Sequence, residues 1–533
     1  MSRPFYRSEL LDADVVWLLS VTFAGRVFRF SEYPVAPLDA DGDPVAFDGG
    51  LTPPDIAETF DLADPEPEIL SVPVEDLIFP VDVAALIAQG HDIGAATAEV
   101  ALWVVGTTWE SRRVLLNGTL LNPEVGADGE PVAFSVEEEP FEDAALIPSA
   151  TQRVTAATYA DHHNSHTGLY YPVVFGRPGL YDAAGGGTTT TSGSEALIVD
   201  VSGGDAQKLL LAGHIVGATT VTIYGGTTSE SFSVAHEDDG VNSATVAVAD
   251  VSGAASLSLT EDDYWVVWGV DGGLEWAPSI DLEGGGDLLT YMLRRSSLRI
   301  DEGRLASARS VLNRYKFAGY IDEGVSPYAW LADNLLPLLP VSMRSGPDGL
   351  YPIVWDMDAT AADAVAVLVA GEQVERVGGI TYDRTARDVV NELRFDFAQR
   401  ARTQNYKRSR TLTPKPETAD ADTFSNIYAE VSYRRYGLRS GSLQSEIVYR
   451  QATADAILAW RLRAYGFVHR LVSYVGGVDL AWLSPGDVVD LTDSDLSLTN
   501  EVALVQATSL GGDGVVALRL LIVEDVARMV RAT

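Results

Sequence analysis

The stretch that decides the fold lies near the end of the chain, Ser445 to Thr492: SEIVYRQATADAILAWRLRAYGFVHRLVSYVGGVDLAWLSPGDVVDLT. It predicts one helix followed by strands. The Thr453 hydroxyl is placed to cap the helix, and Asp455 falls in the first turn, where the positive end of the helix dipole favours an anion. Ile457, Trp460 and Ala464 share one helical face, extended by Leu458, Leu462 and Tyr465. Arg461 and Arg463 occupy the last turn and Gly466 supplies the stop. Strands are expected over Val468–Val475 and, after Gly476-Gly477, over Val478–Leu483. Pro485-Gly486 fits the centre of a type II turn, because proline fixes the first φ and glycine accepts a positive second one. Asp487–Leu491 leaves that turn as a further strand. The whole reads as a helix packed on a β-sheet, with Trp460 and Leu462 at the contact.

Outward from this stretch, the chain has 533 residues, too many for a single core, and three to four domains are expected. Hydrophobic residues make up 46% of it, ample for folded domains. The absence of cysteine removes disulfides, thiolate nucleophiles, iron–sulfur clusters and cysteine zinc sites together. No apolar run reaches the roughly 18–20 residues of a membrane span. Arg3 and Arg7 ahead of VVWLLSVTFAG have the outline of a signal peptide, but Glu9, Asp12 and Asp14 lie in between. Val15–Thr22 and Arg26–Phe30, flanking Ala24-Gly25, read as a hairpin instead.

The net charge of −39 is unevenly placed. Residues 1–290 hold 9 Lys+Arg against 46 Asp+Glu, net −37; residues 291–533 hold 28 against 30, net −2. An anionic body of this kind repels nucleic acid and anionic membrane. It serves solubility or a salty medium, or forms a wall past which DNA slides without sticking.

The first 183 residues read as a β-rich domain, 1–183. Ala98–Thr107 and Val114–Leu121 are strand-like, and Asn117-Gly118 carries a type I′ hairpin signal. Val81–Gln89 is a short helix candidate, and Val132–Val136 a strand running into a solvated Glu137-Glu138-Glu139 end. TYADHHNSHTGLYYPVVFGRPG, residues 158–179, reads as an aromatic loop. Gly185–Thr191 and Gly284-Gly285-Gly286 read as flexible linkers around a block, 184–286, of short alternating strands: Ala196–Val201, Lys208–Ala212, Thr219–Tyr224, Ser231–Val234, Ala244–Val248, Leu257–Leu259 and Tyr264–Val270. That spacing predicts an inserted β-sandwich. Residues 287–386 form a helical α/β domain, with helices over Asp287–Arg295, Leu305–Asn313, Tyr328–Leu336 and Ala361–Ala370 and a strand over Tyr351–Trp355. Residues 387–533 return to β with one packed helix; Val389, Leu393, Phe395 and Phe397 share a face, and Arg400–Arg410 reads as an exposed loop or hairpin arm. The last strands are Glu501–Thr508 and Val515–Val523. The fold class is therefore mainly β with α+β parts, in several domains.

Chemistry is sparse. His162, His163 and His166, beside Asp161, are the candidate metal ligands; the alternative is a structural or exposed loop, since Asn164, Ser165, Thr167 and Gly168 are poor helix formers. Asp39-Ala40-Asp41-Gly42-Asp43 hints at calcium, but an EF-hand loop needs glycine and glutamate where Pro44 and Gly50 stand, and a turn is the better reading. There is no phosphate-binding glycine loop and no nucleophile elbow. Acid pairs such as Asp356/Asp358 are expected by chance among 76 acids. The tryptophans fall in strand or helix patterns and read as core. No cofactor is expected, and the chain reads as a structural or binding component rather than an enzyme.

Four segments, in order, carry a family resemblance: VVWLLSVTFAGRVFRFS (Val15–Ser31), LYYPVVFGRPG (Leu169–Gly179), RDVVNELRFDFA (Arg387–Ala398) and the opening stretch with its Ser484–Asp487 turn. Together they resemble siphophage-type tail hub proteins, also called baseplate hub or tail-tip proteins, over the first ~180 residues and ~290–533. The resemblance implies hub-type β-barrel-like domains that continue the pseudo-sixfold symmetry of the tail tube in a homotrimeric ring at the tail tip of the virion. It implies contacts with the distal tail or tail tube protein, the tape-measure protein and tip or fibre proteins, with DNA passing through the lumen unbound. It carries no catalytic residue. The alternatives are a receptor- or polysaccharide-binding tail adhesin acting through the inserted β-sandwich, and a carbohydrate-active enzyme among the carboxylates.

Overall fold

The computed structural model describes residues 14–524 apart from 60–69, 127–129, 139–142, 184–185, 226–227, 243, 255–256, 258–263, 269–274, 278–279 and 416–421. The chain is mainly β; its described residues form three seven-stranded sheets, smaller sheets and a helical part. The N-terminal sheet contains the expected hairpin, Val15–Phe23 with Arg26–Ser31. Thr97–Val104, Arg113–Val125, Val132–Glu137 and Ser71–Leu77 complete it, and Asp48–Gly49 lies on its far edge. Its helix, α1, is Val83–Ala88, capped by the Asp82 carboxylate.

The C-terminal sheet runs in the order Ala366–Val369, Val488–Asp493, Leu498–Leu510, Val516–Ile522, Arg470–Gly476, Val374–Tyr382. Its seventh strand comes from far away in sequence: Ile56–Thr59 pairs antiparallel with Ala507–Leu510. Alternation puts Leu19, Val21, Leu102, Leu116 and Val136 on one face of the N-terminal sheet. Val472, Val489, Val505, Leu518 and Leu520 occupy the facing side of the C-terminal sheet, and all ten lie in one core. The far side of the C-terminal sheet is covered by Tyr351, Ile353 and Trp355.

A second core holds the helices. They are α2 (Gly285–Leu293), α3 (Glu302–Leu312), α4 (Pro327–Trp330), α5 (Ile427–Tyr436) and α6 (Gln451–Tyr465). They pack with a four-stranded sheet in the order Thr423–Phe424, Asn405–Leu412, Glu392–Arg400, Ser440–Gln444. The helix of the deciding stretch is α6, and it does pack on a sheet, burying Ala454, Ile457, Leu458 and Leu462. Leu393, Phe395 and Phe397 of that sheet lie in the same core. Trp460 is half-buried and faces the Leu336–Leu338 turn, its Nε1–H donating to the Leu338 carbonyl at 2.9 Å. The inserted strands form the third sheet, in the order 228–233, 220–225, 264–268, 194–202, 205–212, 245–250, 235–238, wrapped around its own core of Ile198, Leu209, Ile223, Val266 and Trp268.

Several local expectations are corrected. Asn117-Gly118 is not a turn but the middle of a 13-residue strand, Arg113–Val125. A Cβ on Gly118 would sit 2.0 Å from the Glu137 carbonyl oxygen, so glycine is needed there for close strand approach. The Gly284–Gly286 run is not a linker; it starts α2, and a Cβ on Gly286 would lie 2.2 Å from the Arg309 carbonyl of α3. Thr188–Thr190 pairs with Leu180–Asp182 rather than hanging free. Ala361–Ala370 gives only a 3₁₀ turn, Ala361–Asp363, closed by a Thr360/Asp363 capping box, and then a strand. Val478–Leu483 opens as a 3₁₀ turn, Val478–Leu480, rather than a strand.

Arg400–Arg410 is a hairpin whose Arg408 and Arg410 are buried, not exposed. Glu138 is buried as well, and its carboxylate accepts the Leu70 N–H at 3.2 Å; Glu139 lies outside the described residues. So do most of Leu257–Leu259, the end of Tyr264–Val270 and residues 1–13. The Pro485-Gly486 turn is as expected, with Gly486 at φ +89° and Asp487 N–H bonded to Ser484 O at 3.0 Å.

Two substitutions test the packing. Gly118→Val should cost about 1–3 kcal/mol by forcing two strands apart, read as a lower melting temperature. Trp460→Ala should cost about 2 kcal/mol, below the roughly 3–5 of a fully buried tryptophan, because the side chain is only partly buried; the denaturant midpoint measures it.

Candidate functional site at the root of the inserted sheet

The inserted sheet leaves and rejoins the rest of the chain beside the N-terminus of α6. That helix begins at Arg450, whose side chain gives no capping hydrogen bond, so its first amides need acceptors from elsewhere. Asp182, on the strand entering the insertion, supplies one: its Oδ2 accepts the Gln451 N–H. Glu283, where the insertion ends, is 9% exposed. It bridges Arg177 and Arg450, each at 3.0 Å. The anion thus ties both ends of the insertion to the start of α6.

The basic hairpin completes the grip. Arg408 donates to the Asp182 carbonyl, to Asp422 at 3.1 Å and to Gln451 at 3.2 Å. Arg410 holds Asp455 of α6 through two nitrogens, at 2.7 and 3.3 Å. Arg400 reaches the Thr191 hydroxyl, and the Ala401 and Arg402 amides bond to Ser192. Thr453, expected as the cap, instead lies inside the helix, where its hydroxyl accepts the Lys316 N–H at 3.0 Å and donates to the Lys316 carbonyl at 3.2 Å. Asp182, Glu283 and Arg408 are therefore the residues that sequence reasoning missed. A concentration of arginines opposite two acids at the ends of an insertion was the available signal.

The three candidate histidines stand on the loop beside this sheet. His162 engages both nitrogens: Nδ1 with the Tyr159 carbonyl at 2.6 Å and Nε2 with the Thr167 hydroxyl at 2.8 Å. His163 Nδ1 bonds the Ser165 hydroxyl at 2.6 Å. His166 is buried, and its Nδ1 accepts the Ile198 N–H at 2.7 Å. The His163 and His166 rings meet edge to face, 5.9 Å between centroids. Among the described residues, no three His, Cys, Asp or Glu side chains form a group able to hold a metal ion. The Asp39–Asp43 segment is a turn closed by its own Asp39 carboxylate, which accepts the Asp41 and Asp43 amides.

Two clefts separate the N-terminal sheet from the helical part. One, of about 390 Å³, lies between Arg113–Leu115, α3 and the Pro485-Gly486 turn. The other, of about 490 Å³, has a polar floor of Ser20, Thr22, Arg29, Glu99 and Asn117. The Gly346–Gly349 turn divides them, held by Asn117 Nδ2 on the Pro347 carbonyl at 3.3 Å. Among the described residues, no helix is long and apolar enough to cross a membrane.

No protein-family model matches the chain, and no curated protein matches it. Among solved structures, it is similar to a tail protein from Neisseria meningitidis MC58, at 11% identity and a TM-score of 0.37, over 96% of this chain and 97% of that one. It is also similar to the 43 kDa tail protein of prophage MuSo2 from Shewanella oneidensis, at 10% identity and a TM-score of 0.36, over 96% and 99% of the two chains. A prophage tail protein from Listeria monocytogenes EGD-e gives 9% identity and a TM-score of 0.34, over 97% of each.

Removing the bridging acid should hurt more than removing the cap. Glu283→Ala strands two half-buried guanidinium groups and is expected to cost about 2–3 kcal/mol, against about 1 for Asp182→Ala. Thermal melting of the two variants compares them; equal losses would mean that Glu283 is not the keystone.

Proposed function

We propose that the chain is a structural component of a bacteriophage tail tip, a hub subunit whose copies form a trimeric ring closing the tail tube. The observation that carries this is the pair of seven-stranded sheets, one from each end of the chain, packed face to face on one core. One subunit offers two such sheets, so three copies offer six, the number a sixfold tube asks of its cap. The order of the four sequence segments supports the same reading. The structures named above are described as tail proteins; the proposal agrees with that wording and does not rest on it.

In this reading the two-sheet body meets the tail tube protein, and the ring holds the end of the tape-measure protein until the tail opens. The excess of acids in residues 1–290 keeps DNA from adhering as it passes. The inserted sheet, with its own core and a clamped root, faces fibre or neighbouring tip proteins.

Electron microscopy of tails carrying a tagged chain tests the placement. A ring coaxial with the tube, containing three copies, is expected; single copies off the axis would reject it. The second reading, an adhesin, is favoured by the independent core of the inserted sheet. Glycan-array binding by the full chain, lost on deleting residues 194–268, would support it.

A further inference from the structure

His469 lies where α6, in the helical core, hands over to strand Arg470–Gly476, in the two-sheet core. It is 1% exposed. Its Nε2 bonds the Ala464 carbonyl in the last turn of α6 at 3.0 Å, which places the ring hydrogen on Nε2. Nδ1 is then a lone-pair acceptor, and it is buried with no hydrogen-bond partner. The Nε2–H satisfies the Ala464 carbonyl, but that bond needs only a donor; the second ring nitrogen is left as a buried, unpartnered acceptor.

The backbone around it is tied down. The His469 N–H donates to Asp383 Oδ1 at 2.8 Å, and the Asp383 N–H donates to the His469 carbonyl at 3.1 Å. The charged and titratable groups about the ring come from every neighbouring element. Asp383 and Arg384, paired at 2.8 Å, follow the edge strand Val374–Tyr382. Arg463 comes from α6 and Arg470 from the strand itself. Tyr436 of α5 accepts the Val468 N–H at 3.3 Å. A proton added at Nδ1 would meet no acceptor and would put a cation beside Arg384 and Arg463.

We propose that His469 is an acid-released latch, which in its neutral form locks the helical core to the two-sheet core and on protonation lets the joint open. Burial, with Arg384 and Arg463 adding to it, holds the imidazole down to about 4, against an ordinary 6.5, although Asp383 and the Ala464 bond pull the other way. The sign follows. An opened joint lets His469 take a proton near pH 6.5, while the closed one refuses it until about 4. The closed state keeps its full advantage above 6.5 and loses it as the pH falls through that window. His214 also lies low, to about 4 through burial, but both its nitrogens are bonded, to the Val174 N–H and the Ile215 carbonyl. It serves as the control.

The test uses the full chain. Exchange of the imidazole C2 hydrogen, followed by mass spectrometry, gives the titration of each histidine, and small-angle scattering from pH 7.5 to 4 gives the separation of the cores. The expectation is an expansion whose midpoint coincides with protonation of His469. His469→Gln, which keeps a donor for Ala464 but takes no proton, should move that midpoint down by a unit or more, while His214→Gln leaves it in place. Titration of His469 near 6.5 without expansion, or expansion of His469→Gln at the wild-type pH, would overturn the proposal. If His469→Gln does not fold, the coincidence of the two wild-type curves decides alone.

Discussion

A helix that starts on an arginine has bare amides at its first turn, and in this protein their satisfaction holds two parts of the molecule together. The Asp182 carboxylate caps α6 from 269 positions away in the chain, and Glu283 neutralises the Arg450 that opens the helix. Because both acids belong to the ends of the insertion, the cost of leaving a helix end unsatisfied is transferred to the attachment of a whole sheet. The basic hairpin 400–410 works in the same sense. Arg408 and Arg410 are buried because each reaches several acceptors at once, a use for which the guanidinium fork is suited and a lysine ammonium is not.

The other organising contact is apolar. The N- and C-terminal sheets each turn an alternating face inward, and the common core is continuous between them. The pairing of Ile56–Thr59 with Ala507–Leu510 adds a backbone tie, and the Gly512 N–H bonds to the Asp55 carboxylate at 2.9 Å beside it. The helical core meets this body through a smaller apolar layer, in which Tyr351, Ile353 and Trp355 lie against Leu471, Leu504 and Leu521 on the outer face of the C-terminal sheet, with two clefts and the joint at His469 beside it.

What was legible in the sequence follows from range. The Val15–Ser31 hairpin, most strands of the insertion, the body of α6 and the Pro485-Gly486 turn are set by alternation, helical spacing and turn chemistry within a few residues and are legible; the strand Ala235–Asp238, of mixed polar character, is not. Asn117-Gly118 misled because a glycine that admits a neighbouring strand has the same local signature as one that makes a turn. Thr453 misled because a hydroxyl near a helix start is a good cap only if no better acceptor arrives; here Asp182 does. Gly284–Gly286 looked like a linker because glycine's lack of a side chain permits both mobility and the closest packing. The root of the insertion was illegible for the same reason that it is stable: its partners are far apart in sequence.

The strand Ile56–Thr59 also bears on how the molecule is made. Its neighbour Asp55 and the Gly512 to which it bonds are 457 residues apart. At translation speeds of 5–20 residues per second, Asp55 waits roughly 20 to 90 seconds on the ribosome before its partner exists. Through that interval a face bearing Trp17, Leu19, Leu102 and Leu116 lacks the C-terminal half of its core and has only nearby residues such as Leu51, Phe79, Val83 and Ile93 against it. That incomplete core makes the interval the aggregation-prone stage of the chain's synthesis.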